Sequence, residues 1–215
     1  RMDANRFSRR GFLAITGAAI GAGCATAGRG TSGKEDGFLE LIRQPDHATA
    51  VTSNGNVELN AGTGGIWEGG GIRVTTTAGT RGLDIQLASP KSPVKQVNFF
   101  WNHSMTQYAK LLGDHWERSY GDLAWQGLNP DRAMPWYFMA YDGERTDAYG
   151  VMANPSALCS WKAHENGICL CADVRCGDSG VVLGRRTLPV CHVICRKGNS
   201  GESPFDAARA FCRMM

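Results

Sequence analysis

The chain has few stretches rich in Leu or Ala, and its apolar run Leu13–Gly23 is too short to span a bilayer as a helix. A chain of 215 residues that is 42% hydrophobic and 20% charged is not collagen, a coiled coil or a disordered polyampholyte. Residues 1–27 hold four Arg and one Asp, so the remainder has 19 basic and 19 acidic residues of the 23 and 20 in the chain. This balance gives no electrostatic reason to expect a nucleic acid or an anionic membrane as partner.

Gly, Pro and Trp are abundant instead, with 28, 8 and 6 residues respectively. This composition favours short strands joined by turns. Asn54-Gly55 predicts a hairpin turn, and apolar segments separated by Gly or Pro predict about ten strands. Alternation in Val97–Trp101 puts its apolar side chains on one face, which a second layer would bury. The sequence therefore predicts an all-β fold, an antiparallel β-sandwich over residues 38–202.

The N-terminus is predicted to be an export signal. Arg9 and Arg10 stand in a Ser-Arg-Arg-Gly-Phe-Leu segment that resembles the twin-arginine motif. A weakly apolar, Gly-rich run follows, and Ala25-Thr26-Ala27 offers a small-residue cleavage site. Residues 1–27 are therefore predicted to be a signal peptide that uses the twin-arginine export machinery as its partner.

Cys24 allows a second end to this signal. Gly21-Ala22-Gly23-Cys24 is a degenerate lipoprotein box in which Gly21 replaces the usual Leu. Lipid attachment at Cys24 and ordinary cleavage that releases a soluble protein both stay open, and both predict a periplasmic or extracellular bacterial protein. Residues 28–37 carry no apolar side chain and are predicted to be a flexible tether.

The C-terminal residues 203–215 predict a helix. Ser203 suits the N-cap position, Pro204 the first helical position and Asp206 the first turn. Phe211 and the two terminal Met residues are apolar, with nothing downstream to cover them. We therefore expect a linker helix that leads into a further domain.

The densest mixture of aromatic and charged residues lies between Leu112 and Phe138. Its members are Trp116, Tyr120, Trp125, Trp136, Tyr137, Asp114, Glu117, Arg118, Asp122 and Arg132. Aromatic faces stack on the C–H face of a pyranose, while carboxylates and guanidinium groups bind adjacent hydroxyls. The alternative is a long structural loop with its Trp residues in the core. The acidic residues could also form a glycosidase pair, but their spacing selects no pair.

Two other chemistries are weaker. Gly177-Asp178-Ser179-Gly180 resembles the serine segment of trypsin-like proteases, but the Ala-Ala-His-Cys pattern around the histidine base is absent. The cysteines are Cys24, Cys159, Cys169, Cys171, Cys176, Cys191, Cys195 and Cys212. Cys169 and Cys171 would share one face of a strand, but no CxxC pair is present, so zinc or redox chemistry is weakly supported. Small core residues with one or two disulfides are the alternative.

Several segments together resemble the N-terminal β-sandwich of bacterial α-galactosidase-like (melibiase-like) glycoside hydrolases, related to family 36. The segments are residues 112–138, 149–151, 172–177, 183–188 and 201–208. The resemblance covers about residues 38–215. It implies a sandwich followed by a (β/α)₈ barrel that carries the catalytic aspartates of a retaining mechanism. Those aspartates would lie beyond Met215, so no catalytic residue is expected in this chain.

The resemblance also implies a sugar substrate and no cofactor or metal. The sandwich of such enzymes can lend a residue to the substrate pocket, and Trp116, Asp122 and Trp125 are the candidates here. A noncatalytic, exported carbohydrate-binding or adhesion module is the alternative function.

Overall fold

The computed structural model describes residues 38–41, 43–79, 81–117 and 123–215. This part of the chain contains thirteen β-strands and one α-helix. The strands are β1 (His47–Thr52), β2 (Gly55–Ala61), β3 (Ile66–Gly69), β4 (Ile72–Ala78), β5 (Leu83–Ala88), β6 (Val94–Asn102), β7 (Lys110–Gly113), β8 (Met134–Pro135), β9 (Tyr137–Tyr141), β10 (Thr146–Val151), β11 (Leu158–His164), β12 (Gly167–Asp173) and β13 (Thr187–Arg196), and the helix is α1 (Pro204–Cys212). The predicted all-β class is confirmed.

Antiparallel pairing joins the strands in the order β7-β9-β10-β13-β5-β4-β3-β2-β1-β6-β12-β11-β8. Strand β2 passes between two layers, because its first part pairs with β1 and its last two residues pair with β3. We call the layer of β1, β6, β12, β11 and β8 layer A, and the layer of β3, β4, β5, β13, β10, β9 and β7 layer B. Only Trp136 separates β8 in layer A from β9 in layer B. The sheet therefore curls into a nearly closed sandwich.

Trp136 forms the corner between the two layers. Its φ of 65° is a left-handed conformation that non-glycine residues adopt at a cost of about 1–3 kcal/mol. Three hydrogen bonds hold it there: its N–H donates to the Cys159 carbonyl (3.0 Å), and its carbonyl accepts from the Val151 N–H (3.0 Å) and the Trp161 indole N–H (3.2 Å). The corner is therefore fixed to strands of both layers.

An aromatic chain fills the core between the layers. Its successive ring centroids lie 6.4, 6.2, 5.8 and 4.9 Å apart, from Phe99 through Trp101, Trp161 and Phe138 to Tyr149. All five side chains are fully buried. The face predicted from the alternation in β6 is thus confirmed, and the core contacts strands of both layers.

Helix α1 covers part of the outer surface of layer B. The Ser203 hydroxyl accepts a hydrogen bond from the Asp206 N–H (3.1 Å), as its predicted capping role requires. Phe211 was expected to lack cover, but it is fully buried. It packs in a cluster with Met139, Ala148, Ile194, Leu112, Trp125, Tyr137, Ala208 and Met215, which we call the outer cluster. No helix in the described residues is long and apolar enough to cross a membrane.

The structure differs in detail from two local predictions. The hairpin loop consists of Ser53 and Asn54, and Gly55, with φ 113°, begins β2. The strand predicted over Val181–Arg185 is a single bridge between Val181 and Val94. The predicted signal peptide, with Arg9, Arg10 and Cys24, and the tether lie outside the described residues.

Candidate functional site at the layer corner

The segment between β7 and β8 carries the residues predicted to bind sugar. Its returning part is attached to β7, because Gln126 and Leu111 exchange backbone hydrogen bonds of 2.9 and 2.7 Å. Asn129 then forms a turn in which its side-chain oxygen accepts from the Asp131 N–H (3.0 Å) and its carbonyl accepts from the Arg132 N–H (3.1 Å). This turn brings Arg132 back to the end of β7.

Among the described aromatic residues of this segment, Trp116 is the exposed one. Its side chain is 46% exposed, and its ring lies edge-on to Trp136 with centroids 5.4 Å apart and planes at 81°. Edge-to-face packing of this kind restrains an indole without covering both of its faces. Because Trp136 is fixed by the corner, Trp116 is a restrained indole that remains accessible to a ligand.

Two polar side chains of the same segment, Arg132 and His115, lie near the end of β7, and we call this region the base of the segment. Arg132 donates a hydrogen bond to the Gly113 carbonyl, but its Nε and Nη1 atoms are buried and have no hydrogen-bond partner among the described residues. Burial lowers the pKa of the Arg132 guanidinium. The Nε2 atom of His115 is likewise buried and without a partner in the described parts. Buried N–H donors lose free energy when unpaired, so a ligand that supplies acceptors would be favoured here.

The base forms where the end of β7 closely approaches β8. A Cβ on Gly113 would lie 2.4 Å from the Met134 side chain, so only glycine lets β7 approach β8 at this point. The His115 N–H donates to the Asp114 carboxylate (2.8 Å), which orients the first residues after β7. The corner, the base and Trp116 are therefore parts of one local structure.

Trp125 lies in different surroundings from Trp116. It is half-buried and packs against the outer cluster, with its ring 6.1 Å from that of Tyr141. Its role as a sugar contact stays a prediction, but its contacts are those of a packing residue. The two indoles thus pack against different partners, Trp136 for Trp116 and the outer cluster for Trp125.

Asp122, the third predicted contact, lies outside the described residues. Sequence reasoning placed Arg132 and Trp136 in the aromatic and charged mixture without choosing them as contacts, and it did not name His115. The Asn-Pro-Asp turn before Arg132 and the proline before Trp136 were the available local signals. Neither signal reveals that both residues meet the end of β7.

A second polar assembly surrounds Asp147, whose side chain is fully buried. Its carboxylate accepts from the Tyr108 hydroxyl (2.7 Å), the Gly198 N–H (2.9 Å) and Arg145 Nη2 (3.4 Å), and Arg145 Nε forms an ion pair with it at 3.1 Å. Burial raises the pKa values of Tyr108 and Tyr149, so both stay protonated, and their hydroxyl oxygens lie 3.1 Å apart. The assembly borders a cleft of about 470 Å³, but its hydrogen bonds join β10 to the segment after β13. We interpret it as a structural network.

His192 and Asp84 form the closest histidine–carboxylate pair in the described residues, with Nδ1 and Oδ1 2.7 Å apart. The two residues lie directly opposite each other on β13 and β5. A polar cross-strand pair of this kind stabilises strand pairing, and nothing in its geometry requires a catalytic role. Ser179 lies in a tight turn closed by backbone hydrogen bonds with Cys176.

All seven described cysteines are free thiols. Cys159 and Cys191 are buried in the main core. Cys169 and Cys171 lie on the outward face of β12, with their sulfur atoms 3.7 Å apart. The hydrogen bond between them lowers the pKa of Cys171, while the same bond and burial raise the pKa of Cys169. No three His, Cys, Asp or Glu side chains converge as a metal site in the parts of the chain that the structure describes.

Comparisons with known proteins identify no relative of this chain. No protein-family model, curated protein or solved structure matches the chain.

Proposed function

We propose that this chain is the sugar-contacting β-sandwich of an exported, α-galactosidase-like glycoside hydrolase. The observation that carries the proposal is the exposed indole of Trp116, held edge-on to Trp136 at the layer corner, in a segment whose start at Gly113 is hydrogen-bonded to Arg132. An exposed indole face can stack on the C–H face of a pyranose. Donors nearby can bind the hydroxyls on its edge.

Restraint of Trp116 supports binding. An aromatic contact that is fixed before the ligand arrives loses little conformational entropy on binding. Trp136 provides that restraint, because its backbone is hydrogen-bonded to strands of both layers. Trp116 is thus the primary proposed sugar contact.

The polar base supports the same ligand class. Arg132 offers two buried N–H groups and His115 one ring nitrogen, and none of them has a partner in the described residues. These nitrogens are closed to solvent in the structure, so a sugar hydroxyl would reach them only after the side chains move. Because a hydroxyl both donates and accepts, it could then pair with the guanidinium and with either tautomer of the imidazole. Asp122 and Trp125 remain secondary candidates, on the sequence argument alone.

The proposed role within the enzyme is substrate contact. The resemblance places the catalytic aspartates in a barrel and assigns none of them to this chain. The twin-arginine motif at Arg9 and Arg10 supports the proposed export, and Cys24 the proposed alternative of lipid anchoring. Neither a metal nor a cofactor is part of the proposal.

Calorimetric titration with melibiose, an α-galactoside, tests the site. We expect weak binding to the wild type and an affinity about 10-fold lower for Trp116→Ala, because the apolar area that an indole covers on a sugar ring contributes roughly 1–2 kcal/mol. Phe205→Ala is the matched control, since Phe205 is a 69% exposed aromatic residue on α1, away from the corner.

Equal melibiose affinity of the wild type and a folded Trp116→Ala variant would contradict the site. Sugar binding without α-galactoside hydrolysis by the complete protein would instead favour a noncatalytic carbohydrate-binding role.

A further inference from the structure

Cys169 and Cys171 form a thiol pair outside the proposed sugar site. Residues alternate across β12, so Ile168, Leu170 and Ala172 face the main core and the two cysteines face outward from layer A. Cys169 is nevertheless only 4% exposed, and Cys171 is half-buried. The pair is therefore a sheltered site on the outer surface.

Neighbouring strands define the surroundings of the pair. Phe100 on β6 and Lys162 on β11 lie opposite Cys169, while Asn98 and Ser160 lie opposite Cys171. Lys162 therefore brings a positive charge to the strand position next to Cys169. Two sulfur atoms thus lie next to one cation in a partly apolar setting.

Strand geometry disfavours a disulfide between these residues. Alternate residues of a strand have Cβ atoms about 6.6 Å apart, from a rise of about 3.3 Å per residue. A disulfide needs Cβ atoms about 3.8 Å apart. Forming the bond would therefore distort β12, which is paired on both sides. The sulfur atoms are close because their side chains lean together, as two ligands of one ion would.

We propose that Cys169 and Cys171 form a two-coordinate thiolate site for a soft monovalent cation of the Cu(I) or Ag(I) class. Thiolates select such cations over hard ones. With metal–sulfur bonds of about 2.3 Å, two-coordinate binding needs sulfur atoms up to about 4.6 Å apart. A small rotation of the side chains opens the 3.7 Å spacing to that distance.

Charge balance supports this cation class. Binding one monovalent cation to two thiolates forms two metal–sulfur bonds, releases the remaining thiol protons to solvent and leaves a net charge of −1. The ammonium group of Lys162 compensates that charge, which a sheltered site would otherwise tolerate poorly. No oxidation or reduction is involved. A zinc site would need more ligands than the described residues supply here.

Competition between the reduced chain and a chromogenic Cu(I) chelator, under anaerobic conditions, tests the proposal. The reference is Cys24→Ser/Cys176→Ser/Cys212→Ser, because Cys176 and Cys212 are exposed and Cys24 lies outside the described residues. We expect one Cu(I) per reference chain, and X-ray absorption should show two sulfur neighbours. Adding Cys169→Ser or Cys171→Ser should abolish competition with the chelator.

Two matched variants sharpen the result. Lys162→Met should weaken Cu(I) binding about 10-fold, as loss of an outer partner does at other metal sites. Cys159→Ser/Cys191→Ser removes a second close thiol pair, on the core side of the sheets, and should leave Cu(I) binding unchanged because the proposed ligands lie on β12. Unchanged stoichiometry in the Cys169→Ser and Cys171→Ser variants, or three or more sulfur neighbours, would overturn the proposal.

A measurement on the unmodified chain covers the case in which a variant fails to fold. Cys169 and Cys171 should be protected from alkylation by one equivalent of Ag(I), as read by peptide mass spectrometry. Alkylation of both at the same rate with and without Ag(I) would also overturn the proposal.

Discussion

Trp116 and Trp125 stand nine positions apart in one segment, yet their surroundings differ. Trp125 is half-buried against the outer cluster below α1, whereas Trp116 is 46% exposed at the corner between the layers. Trp125 contacts aliphatic and aromatic side chains that help to attach α1. Trp116 contacts Trp136 beside unpaired polar atoms. The difference shows that one aromatic-rich segment can supply both a packing residue and a residue available to a ligand.

The largest expected effect is on the outer cluster. Phe211→Ala should lower the free energy of unfolding by about 3–4 kcal/mol, because it empties a fully buried aromatic site. Urea unfolding measures this loss. The affinity of the remaining folded protein for melibiose should be unchanged, and a parallel loss of affinity would show that the outer cluster and the corner are coupled.

Trp125→Ala should have a smaller effect of the same kind. A half-buried indole should contribute about 2 kcal/mol to the free energy of unfolding. Urea unfolding and melibiose titration of the same variant separate packing from ligand contact. Unchanged stability with a lost affinity would reverse our interpretation of Trp125 and support the prediction from sequence.

Trp116→Ala should lower the free energy of unfolding by less than about 1 kcal/mol, because the side chain is 46% exposed and its packing against Trp136 is edge-on. Thermal unfolding with calorimetric detection measures this change. A loss as large as that of Trp125→Ala would mean that Trp116 is a packing residue as well, and would remove the contrast between the two indoles.

The smallest expected effect concerns Glu202, just before α1. Hydrogen bonds from Arg196 hold the pKa of Glu202 below its ordinary value of 4.5. A carboxylate with a lowered folded pKa stabilises the fold above its unfolded pKa, and this contribution is lost as the pH falls through the folded value. Wild type should therefore exceed Glu202→Gln in stability at pH 7, and the difference should begin to fall near pH 4.5 and vanish once the pH is below the lowered folded pKa. A difference that persists in strong acid would contradict this assignment.

Local patterns predicted the features that depend on neighbouring residues. Alternation in β6 gave the buried face of Phe99 and Trp101, and the Ser203 cap gave the start of α1. Both follow from side-chain periodicity or from one hydrogen bond within a turn.

Features that depend on distant pairing could not be predicted in the same way. Strand β8 has two residues and no alternation to detect, and the left-handed Trp136 is held by partners on β11 and β10. Phe211 was expected to lack cover because the outer face of layer B exists only after β9, β10 and β13 have paired. The grouping of Trp116, Trp136 and Arg132 depends on the same closure.

Indole N–H resonances in a ¹H–¹⁵N NMR titration with melibiose test the central claim most directly. The chain has six tryptophans, and single Trp-to-Phe variants assign their signals. We predict saturable shifts of the Trp116 and Trp136 signals, with the core signal of Trp101, whose indole N–H donates to the Arg43 carbonyl, unchanged. Saturable shifts at Trp125 without any at Trp116, or no shift at any indole, would contradict a sugar site at the layer corner.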